Sequence, residues 1–190
     1  MAKNNNELAR FEQCVLPHLD AAFNLARWLV GNDHDAQDLA QESCVRALKY
    51  FASFHGTDAR GWLLTIVRNT TFTWLRQHRM QELTITLEDD YFDSAAAASD
   101  ATGPASPNPE MQLVQQADAD QLRLAIEQLP VEFREVMVLR ELEELPYKQI
   151  AAITGAPVGT VMSRLARARK RLQQILVSGG ATPEDTADGL

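Results

Sequence analysis

Residues Leu145 to Leu172 limit what this chain can become more than any other stretch. Tyr147 to Ile153 spans about two helical turns, with Ile150 and Ile153 on one side and Ala151 small enough for close packing. Gly155 can adopt the left-handed conformation that ends a helix, and Pro157 suits the start of the next, where its missing N–H costs nothing. Val158, Val161, Leu165 and Leu172 then recur at helical spacing as an inward stripe. Outward lie Thr160, Ser163, Arg164, Arg167, Lys170 and Arg171. A basic run alone reads as a solvated helix face. Here turn chemistry, inward spacing and basic clustering coincide, which describes a helix-turn-helix that enters duplex DNA.

The chain has 190 residues and a formal net charge of −8, unusual for a DNA reader. The charge is unevenly placed. Residues 1–82 are balanced, 83–118 hold acids and no base, 119–172 are net positive, and 173–190 are acidic again. Phosphate contact needs only the local basic patch.

The first part reads as a helical module. Glu7 to Val30 carries Phe11, Val15, Leu19, Ala22, Leu25, Ala26 and Leu29 near helical spacing, with Pro17 as a kink or a start and Gly31 as the end. Asp33 is the expected cap of a helix over Asp35 to Phe54, with Leu39, Ala40, Cys44, Ala47, Leu48 and Phe51 inward. Thr57 or Asp58 would cap a third helix running to about Leu83. Within it, Phe72 and Trp74 stand beside Arg68, Arg76 and Arg79. Single strands are bound by such aromatics beside basic groups, although each ring taken alone is as simply a core residue.

Residues 84–118 are rich in Asp, Ala, Ser, Pro and Gly, a composition unable to bury enough apolar area to offset ordering. They read as a tether. An acidic strand of this kind suits a basic channel of a partner, and a solvated spacer fits equally well. Beyond it, Asp120 to Leu129 and Glu132 to Leu142 are expected helices preceding the helix-turn-helix. The latter has Phe133, Val136, Met137, Leu139 and Leu142 inward. The fold class is therefore all-α. Two small helical domains, 7–83 and 119–177, flank a flexible acidic linker, 84–118, and a disordered tail follows over 178–190.

Several function classes find no support. No apolar run is long enough to span a membrane, and the N-terminal residues lack an apolar signal region. Cys14 and Cys44 make no metal spacing and read as reduced thiols of a cytoplasmic protein. No catalytic constellation, phosphate loop, metal site or cofactor motif is present.

Four segments together resemble a known family. Asp35-Ala-Gln-Asp-Leu-Ala-Gln-Glu42, Trp62-Leu-Leu-Thr-Ile-Val-Arg-Asn69, Leu129-Pro-Val-Glu-Phe-Arg-Glu135 and Gly159-Thr-Val-Met-Ser-Arg-Leu-Ala-Arg-Ala-Arg169 follow in the order of an extracytoplasmic-function (ECF) sigma factor. The resemblance covers roughly residues 8–176. It implies a non-catalytic promoter-specificity subunit of RNA polymerase, with Asp38, Gln41 and Glu42 contacting the β′ subunit of the polymerase core. The loop Phe54 to Arg60, through His55, Thr57, Asp58 and Arg60, would capture a flipped base of the −10 element. Arg68 and Asn69, with Phe72, Trp74 and Arg76, would hold the melted −10 strand. Thr160, Met162, Ser163, Arg164, Ala166, Arg167, Lys170 and Arg171 would meet the −35 element. The family also implies contact with the β subunit, promoter DNA as a partner and control by an anti-sigma factor. The chain departs from the family pattern at Thr73, which bears on the −10 site, and at Met162 and Ala166, so the −35 sequence does not carry over. The competing function is a helix-turn-helix regulator of the response-regulator output type. That class requires a βα receiver with a phosphate-accepting Asp, whereas residues 1–82 read as helices only.

Overall fold

The structure is a computed structural model, and it describes residues 2–85 and 119–179. The linker and the tail lie outside them. Among the described residues every regular element is helical.

In the N-terminal module, α1 (Ala2–Cys14) gives way at Pro17 to a single 3-10 turn, Leu16–His18, and α2 (Leu19–Val30) follows. Proline tolerates that position because the first turn of a helix has no partner for its N–H. Gly31, at φ +87°, closes α2 by donating its N–H to the Arg27 carbonyl. The next helix, α3, spans Asp33–Tyr50. Its cap is Asn32 and not the expected Asp33: the Asn32 side-chain oxygen accepts the Asp35 N–H at 2.8 Å. Adjacent Asn and Asp are equally good caps by type, and the helix starts two residues earlier than the expected Asp35. The helix also stops at Tyr50 rather than Phe54, passing into a 3-10 turn over Phe51–Ser53.

Helix α4 (Ala59–Ile85) is the longest described element. Asp58 starts it, its Oδ1 accepting the Gly61 N–H at 2.8 Å. A Cβ on Gly61 would stand 2.4 Å from Asp58 Oδ2, so glycine is what lets this carboxylate fold over the helix end. Thr70 and Thr71 are buried in α4 despite their preference for strands, because packing against α2 and α3 outweighs intrinsic propensity.

The C-terminal module opens with a helix over residues 119–127, α5. The expected single helix from Glu132 to Leu142 is instead α6 (Val131–Met137) followed by a π-helical turn, Val138–Leu142. The wider turn lets the Glu143 N–H reach the Val138 carbonyl at 3.0 Å, and it swings Leu142 out to solvent. Helices α7 (Tyr147–Thr154) and α8 (Val158–Gly179) form the helix-turn-helix, with Gly155 at φ +66° between them. Val161, Leu165 and Ala168 of α8 are buried and Leu172 is half-buried, whereas Val158, expected inward, is exposed. Burying one such leucine contributes about 1.5–3 kcal/mol. That is enough to fix which face of α8 looks out.

The two modules are packed together. Helix α4 lies against α7 and α2 against α6, and one apolar core runs from Phe11 and Leu63 through to Val136 and Leu165. Local periodicity carries no trace of that contact.

Candidate nucleic-acid and polymerase interfaces

Three surfaces emerge from this packing. The first is the outer face of α3. Ala36, Leu39, Ser43 and Ala47 are buried there, which turns Asp38, Gln41 and Glu42 to solvent. Asp38 lies 3.7 Å from His34, and Glu42 accepts a hydrogen bond from Arg46 one turn on. Exposed pairs of this kind hold little energy and exchange readily for a partner's contacts. Leu48, expected inward, is also exposed, as is Val45, which is 67% accessible. With Asp38 and Gln41 they form one stripe at three- and four-residue spacing, an apolar continuation of the acidic patch. Leu39 and Ala47 are buried as expected, and Ala36 and Ser43, small residues outside the expected stripe, complete the buried face.

The second surface comprises the 51–58 loop and α4. Phe51 and Phe54 anchor the loop. Phe54 stacks on Trp62 with ring centres 4.8 Å apart, and Phe51 meets Phe11 edge-on at 5.2 Å. His55, Thr57 and Asp58 stand exposed on that anchor, and Arg60 is half-buried beside them. On α4, Arg68 lies 4.4 Å over the Phe72 ring, and Asn69 and Arg76 are exposed. Trp74 stacks on His78 at 3.7 Å. Both Phe72 and Trp74 are half-buried, each with part of its ring accessible.

Three members of that surface already have partners in the C-terminal module. Arg60 donates to Glu143, Arg68 Nε donates to Glu135 Oε1 at 2.7 Å, and Asp58 Oδ2 accepts from Gln149 Nε2 at 3.0 Å. Arg134 adds a fourth link. Its guanidinium donates to the Trp28 carbonyl at 2.9 Å and also to the Glu127 and Leu129 carbonyls, tying the end of α2 to the turn before α6.

Glu135 is completely buried. Loss of hydration pushes its pKa above the ordinary glutamate value of 4.5, and the hydrogen bond and charge of Arg68, with the charge of Arg164, only partly counter this. The folded chain therefore holds the Glu135 proton more tightly than the unfolded chain does. The stability this group contributes is fully present below pH 4.5 and declines as pH rises through its elevated folded value. Glu135→Gln, permanently uncharged, is expected to flatten that part of the stability profile, as read by urea unfolding across the acidic range. An unchanged profile would exclude Glu135 as its source.

The third surface is α8. Met162, Ser163, Ala166, Arg167, Lys170 and Arg171 are exposed and Thr160 is partly so. Ser163 donates its hydroxyl to the Thr160 carbonyl at 3.0 Å, leaving its oxygen free to accept. Arg169 points away from this face and donates to Glu141 at 2.6 Å, as its helical position suggests. Arg164 is half-buried and acts on Glu135 by charge, so its surroundings differ from those of Arg167 and Arg171.

Among the described residues no helix is long and apolar enough to cross a membrane. Cys14 and Cys44 are free thiols, both half-buried, and burial raises the pKa of Cys44.

Comparison with known proteins assigns these modules. Residues 14–80 match the family described as Sigma-70 region 2, and residues 119–172 match Sigma-70, region 4. The chain is 32% identical to the ECF RNA polymerase sigma factor SigE of Mycolicibacterium smegmatis, over 93% of this chain and 65% of that protein's length. It is 32% identical to the RNA polymerase sigma-H factor of Pseudomonas aeruginosa, over 87% of this chain and 86% of the relative. It is 34% identical to the ECF sigma factor EcfG of Rhodopseudomonas palustris, over 83% and 82%. Among solved structures, the sigma factor RpoE of Bartonella quintana, crystallised with the anti-sigma factor NepR, superposes with a TM-score of 0.70. The identity is 29%, covering 88% of this chain and 97% of that one. CnrH, solved with the cytosolic domain of CnrY, shares the fold at a TM-score of 0.58 and 23% identity, covering 90% of this chain and 89% of that one. The chain belongs to the ECF RNA polymerase sigma factors.

Proposed function

We propose that this chain directs core RNA polymerase to specific promoters as a non-catalytic initiation factor working in the cytoplasm. The observation that carries the reading is the presence, on one chain, of three separate faces suited to three partners. The acidic stripe Asp38, Gln41 and Glu42, extended by Val45 and Leu48, is a protein-binding surface for the β′ subunit of the core. The face built from His55, Thr57, Asp58, Arg60, Arg68, Asn69, Phe72, Trp74 and Arg76 combines guanidinium groups and accessible rings, as binding of an unstacked −10 strand demands. The outer face of α8 presents Met162, Ser163, Ala166 and Arg167 to bases, with Thr160, Arg164, Lys170 and Arg171 toward phosphates. The proposed domains are 7–83 and 119–177. The linker, 84–118, would reach toward the polymerase, and the β subunit would meet the C-terminal module. An anti-sigma factor is a further expected partner, as NepR is for the Bartonella protein. The response-regulator alternative leaves the sigma region 2 match of residues 14–80 unexplained.

The roles on α8 are separable. Arg167→Ala is expected to change the ranking of −35 sequences, since each lost bidentate base contact is worth about 1–3 kcal/mol. Arg171→Ala is expected to weaken all promoters alike and to flatten the salt dependence. Transcription across a set of −35 variants reads both effects. Identical, sequence-independent losses from the two substitutions would put Arg167 among the phosphate contacts.

A further inference from the structure

The loop that carries His55, Thr57 and Asp58 is anchored at both ends. At its exit, Asp58 accepts the Gly61 N–H and starts α4. At its entrance, the Phe54 N–H donates to the Phe51 carbonyl at 2.9 Å, and the Phe54 carbonyl accepts from Arg10 Nη2 at 3.4 Å. The same guanidinium lies 5.2 Å from the centre of the Phe51 ring, within reach of a cation–π contact. Phe11, the next residue of α1, meets that ring edge-on. Adjacent residues of α1 thus hold the two aromatics on which the loop is built. Phe54 transmits its position to the loop. One contact of its ring is the stack on Trp62, and a Cβ on Gly56 would stand 3.1 Å from the ring, so the loop backbone rides directly against it. Between the anchors His55, Gly56 and Thr57 are exposed. An exposed arginine is ordinarily a solvated charge. Arg10 instead directs its charge to one ring and its donor to one carbonyl of the same anchor. Both Arg10 and Phe11 precede the Sigma-70 region 2 match of residues 14–80.

We propose that Arg10 is a positioning residue for base capture: it fixes the Phe54 carbonyl and the Phe51 ring, and through them the place of His55 and Thr57 against a flipped −10 base. This role rests on the promoter reading for the identity of the base, and it adds a residue of α1 to the machinery that selects it. Arg10 acts through Phe54 and not by touching the base. Flipping sacrifices stacking, which contacts in the loop must offset. A loop already held in its binding geometry offsets more of that loss than one that must first be ordered. A short exposed segment with few packing contacts opens locally at low cost, so its order depends on its anchors. The contact joins residues 44 apart in sequence, outside the reach of any local pattern.

The test uses the full chain in two measurements. The first is run-off transcription with core polymerase from a promoter carrying each of the four bases, or an abasic site, at every non-template position of the −10 element. Arg10→Ala is expected to lower discrimination at one of these positions about fivefold, the factor for one hydrogen bond, while −35 preference and core affinity stay unchanged. Arg10→Lys keeps a cation and a donor without the planar fork, and it is expected to hold the loss to about twofold. Gln13→Glu makes the same change in net charge three residues along α1 and is expected to leave every preference within about twofold. The second measurement is amide hydrogen exchange of the free chain by mass spectrometry. Arg10→Ala is expected to speed exchange over residues 52–58 about fivefold and to leave α3 and α8 as they were. Exchange of that loop equal to the wild type overturns the role of Arg10, as does a loosened loop with unchanged preference at every −10 position. A uniform loss at all positions, matched by Gln13→Glu, also overturns it, since charge alone would then account for the effect. A wild-type chain that starts no transcript with core sinks the promoter reading instead, and the hold of Arg10 on the loop then stands or falls by the exchange rates.

Discussion

Replacing Asp38 and Glu42 together by lysine is expected to weaken binding to core polymerase by at least about 30-fold, the lower end of the 2–5 kcal/mol typical when a charge pair buried by a partner is broken. Folding stability is expected to stay within about 0.5 kcal/mol, because substitutions at exposed sites without buried partners have effects of that size. The side chains of Asp38 and Glu42 are 68% and 50% accessible, and among the described residues their ion-pair partners are His34 and Arg46 on the same helix. The contrast between a large binding loss and a small stability loss is what distinguishes a docking face from packing. Pull-down with core polymerase beside urea unfolding reads the two quantities, and equal retention of core by the wild type and the double variant would remove α3 from the interface.

Phe51→Ala is expected to have the largest effect on stability, about 3–5 kcal/mol, in the range for truncating a buried phenylalanine. Phe51 is nearly inaccessible and contacts three other rings: Phe11 at 5.2 Å, Phe54 at 6.0 Å and Trp62 at 6.2 Å, with Arg10 5.2 Å above its own ring. The loss would reach function as well. Phe51 and Phe54 hold the loop that presents His55, Thr57 and Asp58, so −10 preference is expected to blur under conditions where the variant still folds. Thermal or denaturant unfolding measures the first effect, and transcription from −10 variants measures the second. A stability change below about 1 kcal/mol would mean that the cluster relaxes into the space left behind.

The helix-turn-helix was readable because its signals are local. Gly155 and Pro157 mark the turn, and Val161, Leu165 and Leu172 repeat within one helix. The errors fall where a periodic pattern overruns a helix end or meets an irregular turn. Val158 opens α8 and Leu142 closes a π turn, so neither faces the core that the ideal spacing assigns them. Leu48, large and apolar, suits the inward stripe by type, whereas the smaller Ser43 beside the expected Ala47 occupies the buried face. The cap of α3 was ambiguous between Asn32 and Asp33 because both residue types accept the same backbone bond. On the candidate surfaces, the exposed residues of α3 and α8 follow from helical phase. The pairing of Arg60 and Arg68 with Glu143 and Glu135 does not, because it depends on how two modules pack through residues remote in sequence.

Promoter-directed initiation is tested most directly by run-off transcription from a promoter library with purified core polymerase, in the presence and absence of the full chain. The predicted result is a discrete set of start sites that appears only when both are present, with weak binding of the same promoters by the chain alone. The free chain has few basic contacts to offer phosphates and carries a net charge of −8. The contradicting result is an unchanged transcript pattern on adding the chain, together with tight promoter binding by the chain without core.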